Sequence, residues 1–332
     1  MRILITGGIG RVGAAVIARL TRAGHDLTVI GRRPHADLRG ARYRQCDILD
    51  MAALVAAARE ADTIVHLAAI PSPSGFPPEE VFRSNCQGTF NVYEAAARVG
   101  IRRLVSASSI NAVGYNYGNR GFPIAYLPVD EQMPVFSTDA YSFSKQITER
   151  IGEYAWRRDG ITSIGLRLPW VAPSEYSTQQ IVATHAATCR ASFAALMKMT
   201  DAERRRTARG WLDHRDSYRT TRDMEALDGG KGYDHPDPLM VGRTDFWTRI
   251  DERDSAQAIE KALTAEYAGY HTLFVNDTHN YTGVPTLALA ELFFPEAALR
   301  VETLSGTSTL VSVEAARALI GFVPEFSVER WL

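Results

Sequence analysis

The chain has 332 residues and is 45% hydrophobic, enough to bury a sizeable core, and that excludes intrinsic disorder. Its 37 basic and 38 acidic side chains nearly cancel, so no global field favours nucleic acid or an anionic membrane surface. Cys46, Cys86 and Cys189 lie far apart with no CxxC or Cys/His ligand spacing, which argues against a disulfide framework and a structural metal site.

The sequence enters a strand at once, without the basic, apolar and small-residue regions of a signal peptide, and no apolar run approaches the roughly 20 residues of a membrane span. A cytoplasmic protein is expected. Short aliphatic runs then alternate with alanine-rich segments of helical period, as in βαβ units. The predicted strands are Arg2–Thr6, Asp26–Ile30, Ala41–Gln45, Thr63–Leu67, Arg103–Ala107 and Thr162–Leu168. Between them, Arg11–Ala23, Met51–Arg59, Glu79–Val99 and Tyr141–Arg158 read as helices, with Gly24, Gly100 and Gly160 where C-terminal caps belong. The pattern is an α/β, doubly wound parallel sheet, the Rossmann arrangement, over residues 1–173. After Pro173 the rhythm breaks, and residues 174–332 are expected to form mainly a smaller substrate-binding lobe over the sheet's carboxyl edge. Residues 247–276 return to the core through Trp247–Thr264 and a strand at Thr272–Asn276, and Pro285–Leu292 and Ser312–Ile320 read as terminal helices.

Thr6 to Gly13 follow the first strand and open the first helix, with Gly7, Gly10 and Gly13 at GxxGxxG spacing. Gly7 suits a tight turn, Gly10 a close backbone approach to a pyrophosphate and Gly13 close helix–sheet packing, while the helix N-terminus favours the anion. With Arg11 between them they form a candidate dinucleotide site. Where a carboxylate would meet the adenosine ribose, Gly31 is followed instead by Arg32 and Arg33. Guanidiniums pair with a 2′-phosphate, so the expected cofactor is NADP, with NAD possible and Arg32 the stronger candidate.

Tyr141 and Lys145 lie one turn apart on a helix whose N-cap candidates are Ser137, Thr138 and Asp139. An ammonium about 4 Å from a developing phenolate contributes on the order of 4 kcal/mol, enough to bring the tyrosine towards neutrality. Ser109 follows the fifth strand, at the edge where such sheets carry ligand contacts.

With these residues in view, the chain resembles the extended short-chain dehydrogenase/reductase superfamily, in its NAD-dependent epimerase/dehydratase branch. The Ser108-Ser109-Ile110-Asn111 segment adds similarity to uronate-dehydrogenase-like members. The likeness runs in order through the glycine loop, Asp47-Ile48, His66 to Ala69, Asn85 to Val92, Ser109, Tyr141, Lys145, Arg167 to Val171 and Arg249 to Asp254, about three quarters of the chain. It implies that Asp47 and Ile48 contact the adenine, Ala68 and Ala69 line the cofactor groove, Asn85 supports it and Pro169 packs beside the nicotinamide. Ser109 would bind the reacting oxygen, Tyr141 exchange its proton, and Lys145 tune the tyrosine and hold the nicotinamide ribose.

The resemblance leaves dehydrogenation or reduction, epimerisation and dehydration open. Dehydratases of the family place an Asp-Glu pair beside the hydroxyl residue, whereas Ile110 and Asn111 follow Ser109 here, so dehydration ranks last. NADP favours net redox turnover, an epimerase is the alternative, and a nonenzymatic NADP(H) sensor is a reading of another class. Arg167 is open to a structural ion-pair role. Ser109 and Tyr141 stand 32 positions apart, longer than the family leads one to expect, because Tyr115–Val135 inserts a loop that either shapes the pocket or stays on the surface.

The substrate is expected to be a small polyhydroxylated or carbonyl-bearing molecule. Arg204, Arg205, Arg206, Arg209, Arg215 and Arg219 either bind a carboxylate or diphosphate or form a solvated helix face. Trp170, Trp211 and Trp247 either stack on a ring or serve the core. The resemblance suggests that the helices Glu79–Val99 and Tyr141–Arg158 form a homodimer face, the expectation here, although both could equally just cover the sheet.

Overall fold

A computed structural model describes residues 1–217 and 237–331. The strands β1 (Arg2–Thr6), β2 (Asp26–Gly31), β3 (Arg42–Gln45), β4 (Thr63–His66), β5 (Arg103–Ser109) and β7 (Thr162–Leu168) are joined by α1 (Arg11–Arg22), α2 (Met51–Ala58), α4 (Gly88–Val99) and α5 (Ala140–Asp159). With β10 (Tyr270–Phe274) they form one seven-stranded parallel sheet, in the order β10-β7-β5-β4-β1-β2-β3. The order reverses between β1 and β4, and a doubly wound sheet opens a crevice at that point.

Strand alternation divides the core. Ile3 and Ile5 of β1, with Val65, Val105 and Ile164, meet Val16, Ile17 and Leu20 of α1 and Ile259 and Leu263 of α8 (Glu252–Thr264). Leu4, Ile64 and Leu104 face the other way, onto Leu54 of α2, Val92 of α4 and Ala155 of α5. Local chemistry sets the helix ends. Asp50, Asp139 and Asp251 cap α2, α5 and α8 through their carboxylates, and Gly100 and Gly160 end α4 and α5 in the left-handed conformation.

The helix expected over Glu79–Val99 is three pieces: α3 (Pro78–Phe82), a π turn at Arg83–Gln87, in which Gly88 N donates to Arg83 O, and α4. The strand expected at Thr272–Asn276 lies two residues earlier, because Tyr270 to Phe274 pair with Ser163 to Arg167 of β7.

A separate apolar cluster carries the rest. It gathers Tyr115, Ile124 and Leu127 with Val182 and Cys189 of α6 (Tyr176–Met197), Ala208 of α7 (Asp201–Ser217) and Leu289 and Phe293 of α9 (Thr286–Phe293). The inserted loop contributes β6 (Tyr126–Leu127), which pairs with β11 (Ala298–Leu299). β8 (Trp170–Ala172) leaves the end of β7 and pairs with β9 (Arg249–Asp251). α10 (Glu314–Ile320) packs Ala316 and Ile320 into the α1 side of the core.

Candidate active site

A cleft of about 990 Å³ runs along the carboxyl edge of the sheet. At one end lie Gly7, Gly10, Arg11, Gly13, Arg32, Arg33, Asp47 and Ile48, and at the other Ser109, Tyr141, Lys145 and Pro169, with Ala68 and Ala69 also on its wall. Of the residues assigned in the sequence to catalysis or the cofactor, Asn85 alone is off that wall. Its amide is buried behind it, where Oδ1 accepts from Ile70 N (2.8 Å) and Nδ2 donates to Ile70 O (3.0 Å) and Ser144 Oγ (3.0 Å). Asn85 therefore acts through Ile70, a wall residue, rather than touching the contents of the cleft.

The glycine loop fits a diphosphate. Gly7 is left-handed (φ +72°), and a side chain there would meet Ala68 N at 2.5 Å. Gly13 packs on the Gly8 backbone, where a Cβ would come within 2.4 Å; the contact is helix against loop, not the helix against sheet expected. A Cβ on Gly10 would meet nothing nearer than Gly7 O at 3.4 Å, so the protein itself does not demand glycine there and the space belongs to the cleft. α1 begins on Gly10 without a side-chain cap or an acidic first turn, so its opening N–H groups are free for an anion.

At the glycine-loop end of the cleft Arg32 and Arg33 are exposed, their carbonyls held by Gln45 Nε2 (3.1 Å) and Tyr43 OH (2.7 Å). Among the described residues no ion pair engages either guanidinium. Asp47 Oδ1 accepts from Leu49 N (2.9 Å), and Ile48 is buried under Gly88.

The floor is tied by a buried histidine. Thr6 Oγ1 accepts from Ala68 N (3.2 Å) and is hydrogen-bonded with His66 Nδ1 (2.7 Å), and His66 Nε2 is hydrogen-bonded with Thr89 Oγ1 (3.0 Å). Burial, reinforced by the Lys145 charge, pushes His66 down to about 3 and keeps it neutral.

Tyr141 is 6% exposed and packs edge-on against Tyr117 of the inserted loop. Ser109 Oγ accepts from Asn111 N (3.1 Å), which orients the hydroxyl on the cleft wall beside Tyr141. The expected fall in the tyrosine's pKa is not realised by the protein's own groups. Burial pushes the phenol up to about 12, a hydrogen bond with Ser109 opposes this, and Asp139 adds to it. Lys145 does not offset burial because Nζ donates to Ala107 O (2.8 Å) and stands 5.8 Å from the Tyr141 ring centroid. Burial also brings the Lys145 amine down to about 8, against the pull of Glu149.

Five polar wall residues were not marked as site candidates in the sequence: Arg83 and Ser84 of the π turn, Asn116 and Tyr117 of the inserted loop, and Asp245. The loop thus shapes the pocket. Trp170 is 42% exposed on the same wall, whereas Trp247 is wholly buried and Trp211 stacks on Phe293. Arg167 is an ion-pair partner, bidentate to Glu149. Arg204 and Arg209 pair with Asp201 and Asp213 along α7, and neither they nor Arg205 and Arg206 line the cleft; Arg219 lies outside the described residues.

Residues 3–219 match the family described as NAD dependent epimerase/dehydratase. Over 179 residues the chain is 33% identical to L-arabinose 1-dehydrogenase (NAD(P)(+)) of Haloferax volcanii, covering 52% of this chain and 68% of that one. Over 170 residues it is 29% identical to uronate dehydrogenase of Pseudomonas putida, covering 50% of this chain and 60% of that one. A short-chain dehydrogenase/reductase superfamily protein from Agrobacterium tumefaciens, solved with bound NAD, superposes with a TM-score of 0.63 at 22% identity, over 100% of this chain and 95% of the other.

Proposed function

The chain belongs to the NAD-dependent epimerase/dehydratase family, and we propose that it is an NADP-dependent oxidoreductase acting on a carbonyl or hydroxyl carbon of a small, sugar-like substrate. One observation carries the reading: Ser109, Tyr141 and Lys145 open into the same cleft as the glycine loop, at the carboxyl edge of the sheet. Bound NAD(P) supplies the acceptor or donor of hydride. Ser109, its Oγ oriented by Asn111 N, donates to the reacting oxygen, and Tyr141 exchanges a proton with that oxygen. Lys145 supplies positive charge one turn along α5 and can donate to the nicotinamide ribose. Arg32 and Arg33, exposed at the adenosine end, support NADP over NAD. The relatives named as arabinose and uronate dehydrogenases support the sugar-like substrate.

The test is reduction of NADP and, separately, NAD in the presence of aldoses, uronic acids and alditols, followed by nicotinamide absorbance. Turnover with one of these, faster with NADP, is expected. Tyr141→Phe should lose about 10²- to 10⁴-fold in kcat while binding cofactor as before. A tightly retained NAD that copurifies, with isomerised sugar and no net reduction, would replace the reading with the family's epimerase chemistry. Cofactor binding without any Tyr141-dependent turnover would make the protein a nonenzymatic sensor.

A further inference from the structure

Behind the catalytic residues lies a second buried polar group that the mechanism above does not use. Glu149 stands one turn beyond Lys145 on α5 and is 7% exposed. Its Oε1 accepts from Ser108 Oγ (2.7 Å) and Arg167 Nε (2.9 Å), and its Oε2 from Arg167 Nη2 (2.9 Å). Ser108 and Arg167 are themselves paired partners across β5 and β7, and Ser108 immediately precedes Ser109. A carboxylate with three charge-assisted or hydroxyl donors is fixed in place, because each donor removes a direction in which it can turn. Arg167 is fixed in turn over the Phe274 ring, 5.0 Å from its centroid, and the Phe274 N–H donates to Glu131 (2.8 Å).

Buried ion pairs are costly to desolvate and give little net stability, so one placed a turn from a catalytic lysine calls for another role. We propose that Glu149, braced by Ser108 and Arg167, is a positioning residue that keeps Lys145 charged in its buried place beside Tyr141. The catalytic purpose of that charge rests on the function proposed above. The groups facing Lys145 leave this task to Glu149. Tyr141 on its own helix and Cys86 on the π turn are protonated at neutral pH, burial having pushed both up, and His66 on β4 is neutral. Arg167 carries a like charge, but it is paired bidentately with the Glu149 carboxylate. Burial draws the amine down and Glu149 is the largest influence holding it up.

The chain has only four lysines, Lys145, Lys198, Lys231 and Lys261, so ¹³C-lysine NMR resolves Lys145 directly, with Lys145→Arg to assign its signal. In the full-length protein Lys145 should titrate near 8. Glu149→Gln should lower that midpoint by about one unit or more. Glu149→Gln/Arg167→Gln, which leaves no buried charge unpaired and is the variant to rely on if the single one does not fold, should fall between the single variant and wild type. The same midpoint in all three proteins overturns the inference. Turnover that is lost in Tyr141→Phe but keeps an unshifted pH profile in Glu149→Gln also overturns it and leaves the proposed function standing. A shifted Lys145 midpoint with no turnover in any variant does the reverse, keeping the charge coupling and removing the function.

Discussion

His66 is held between two threonines, Nδ1 with Thr6 Oγ1 (2.7 Å) and Nε2 with Thr89 Oγ1 (3.0 Å). Its folded pKa, about 3, lies below the ordinary value, so the unfolded chain binds the extra proton first as pH falls. The stability due to neutral His66 is therefore full above about pH 6.5 and is lost progressively towards pH 3, about 2 kcal/mol by pH 5. Asp254 works in the opposite sense: burial raises it to about 6, so the cost of its charge is relieved between pH 6 and 4. Comparing denaturant midpoints of wild type and His66→Gln from pH 7 to 5 isolates the histidine, and the wild type should show the steeper loss. Equal slopes would mean that His66 protonates in the folded state. At the adenosine end, Arg32→Ala should weaken NADPH by about 10- to 100-fold, the worth of one or two hydrogen bonds to a charged group, and leave NADH nearly unchanged. Fluorescence titration of both cofactors decides it; equal losses would move the arginine from the 2′-phosphate to general electrostatics. That Arg32, Arg33, Ser109, Tyr141 and Lys145 would line one cleft was legible because each lies in a short run with a fixed place in the βαβ pattern. The high pKa of Tyr141 was not, because burial and the hold of Ala107 O on Lys145 arise only once distant strands are assembled.

Element boundaries followed the caps closely where chemistry is local. β1 and β7 end as read, and Asp139, one of three cap candidates before α5, is the one whose carboxylate accepts from Ser142 N (2.7 Å). The π turn was hidden because its apolar pattern continues from α3 into α4, while its reason is tertiary: it places Asn85 where one amide can serve both backbone groups of Ile70. Asn85→Ala should leave those two groups and Ser144 Oγ short of a partner, costing about 2 kcal/mol or more in chemical denaturation and weakening cofactor binding. Binding unchanged in a destabilised variant would confine Asn85 to folding. Asp245 was equally unreadable. It precedes Phe246 and Trp247, two buried residues with positive φ (59° and 49°), a conformation that sequence pattern does not announce for aromatics. Stacking of Phe246 on Tyr115 and Phe294, and a bond from Trp247 Nε1 to Leu239 O (2.8 Å), hold that turn in place.

At the scale of the whole molecule, the outer faces of α3, α4 and α5 remain to be matched with something. Phe82, Phe90, Phe143, Tyr154 and Trp156 are each between 38 and 44% exposed, and Phe82 stacks on Phe143 (6.0 Å) and Phe90 on Tyr154 (6.3 Å) across the helices. Together they leave roughly 400 Å² of aromatic surface to water, at the scale of the largest patch on a monomer. Ion pairs fringe it, Arg98 and Arg158 with Glu94 and Arg150 with Glu153, giving an apolar centre and a charged rim. A second copy of the chain is the partner this face is read to take, because a two-fold axis sets the stripe against itself and needs no other complementary surface. α5 carries Tyr141 and Lys145 on its buried side, so the pairing would also stiffen the helix that presents them. Light scattering should therefore give twice the chain mass for wild type and the single chain mass for Phe90→Glu/Phe143→Glu, whose charges fall at the centre of the stripe. Both positions are exposed in the single chain, so the variant should keep its fold by circular dichroism. A wild-type monomer at micromolar concentration would remove the dimer and leave the stripe without an assigned partner.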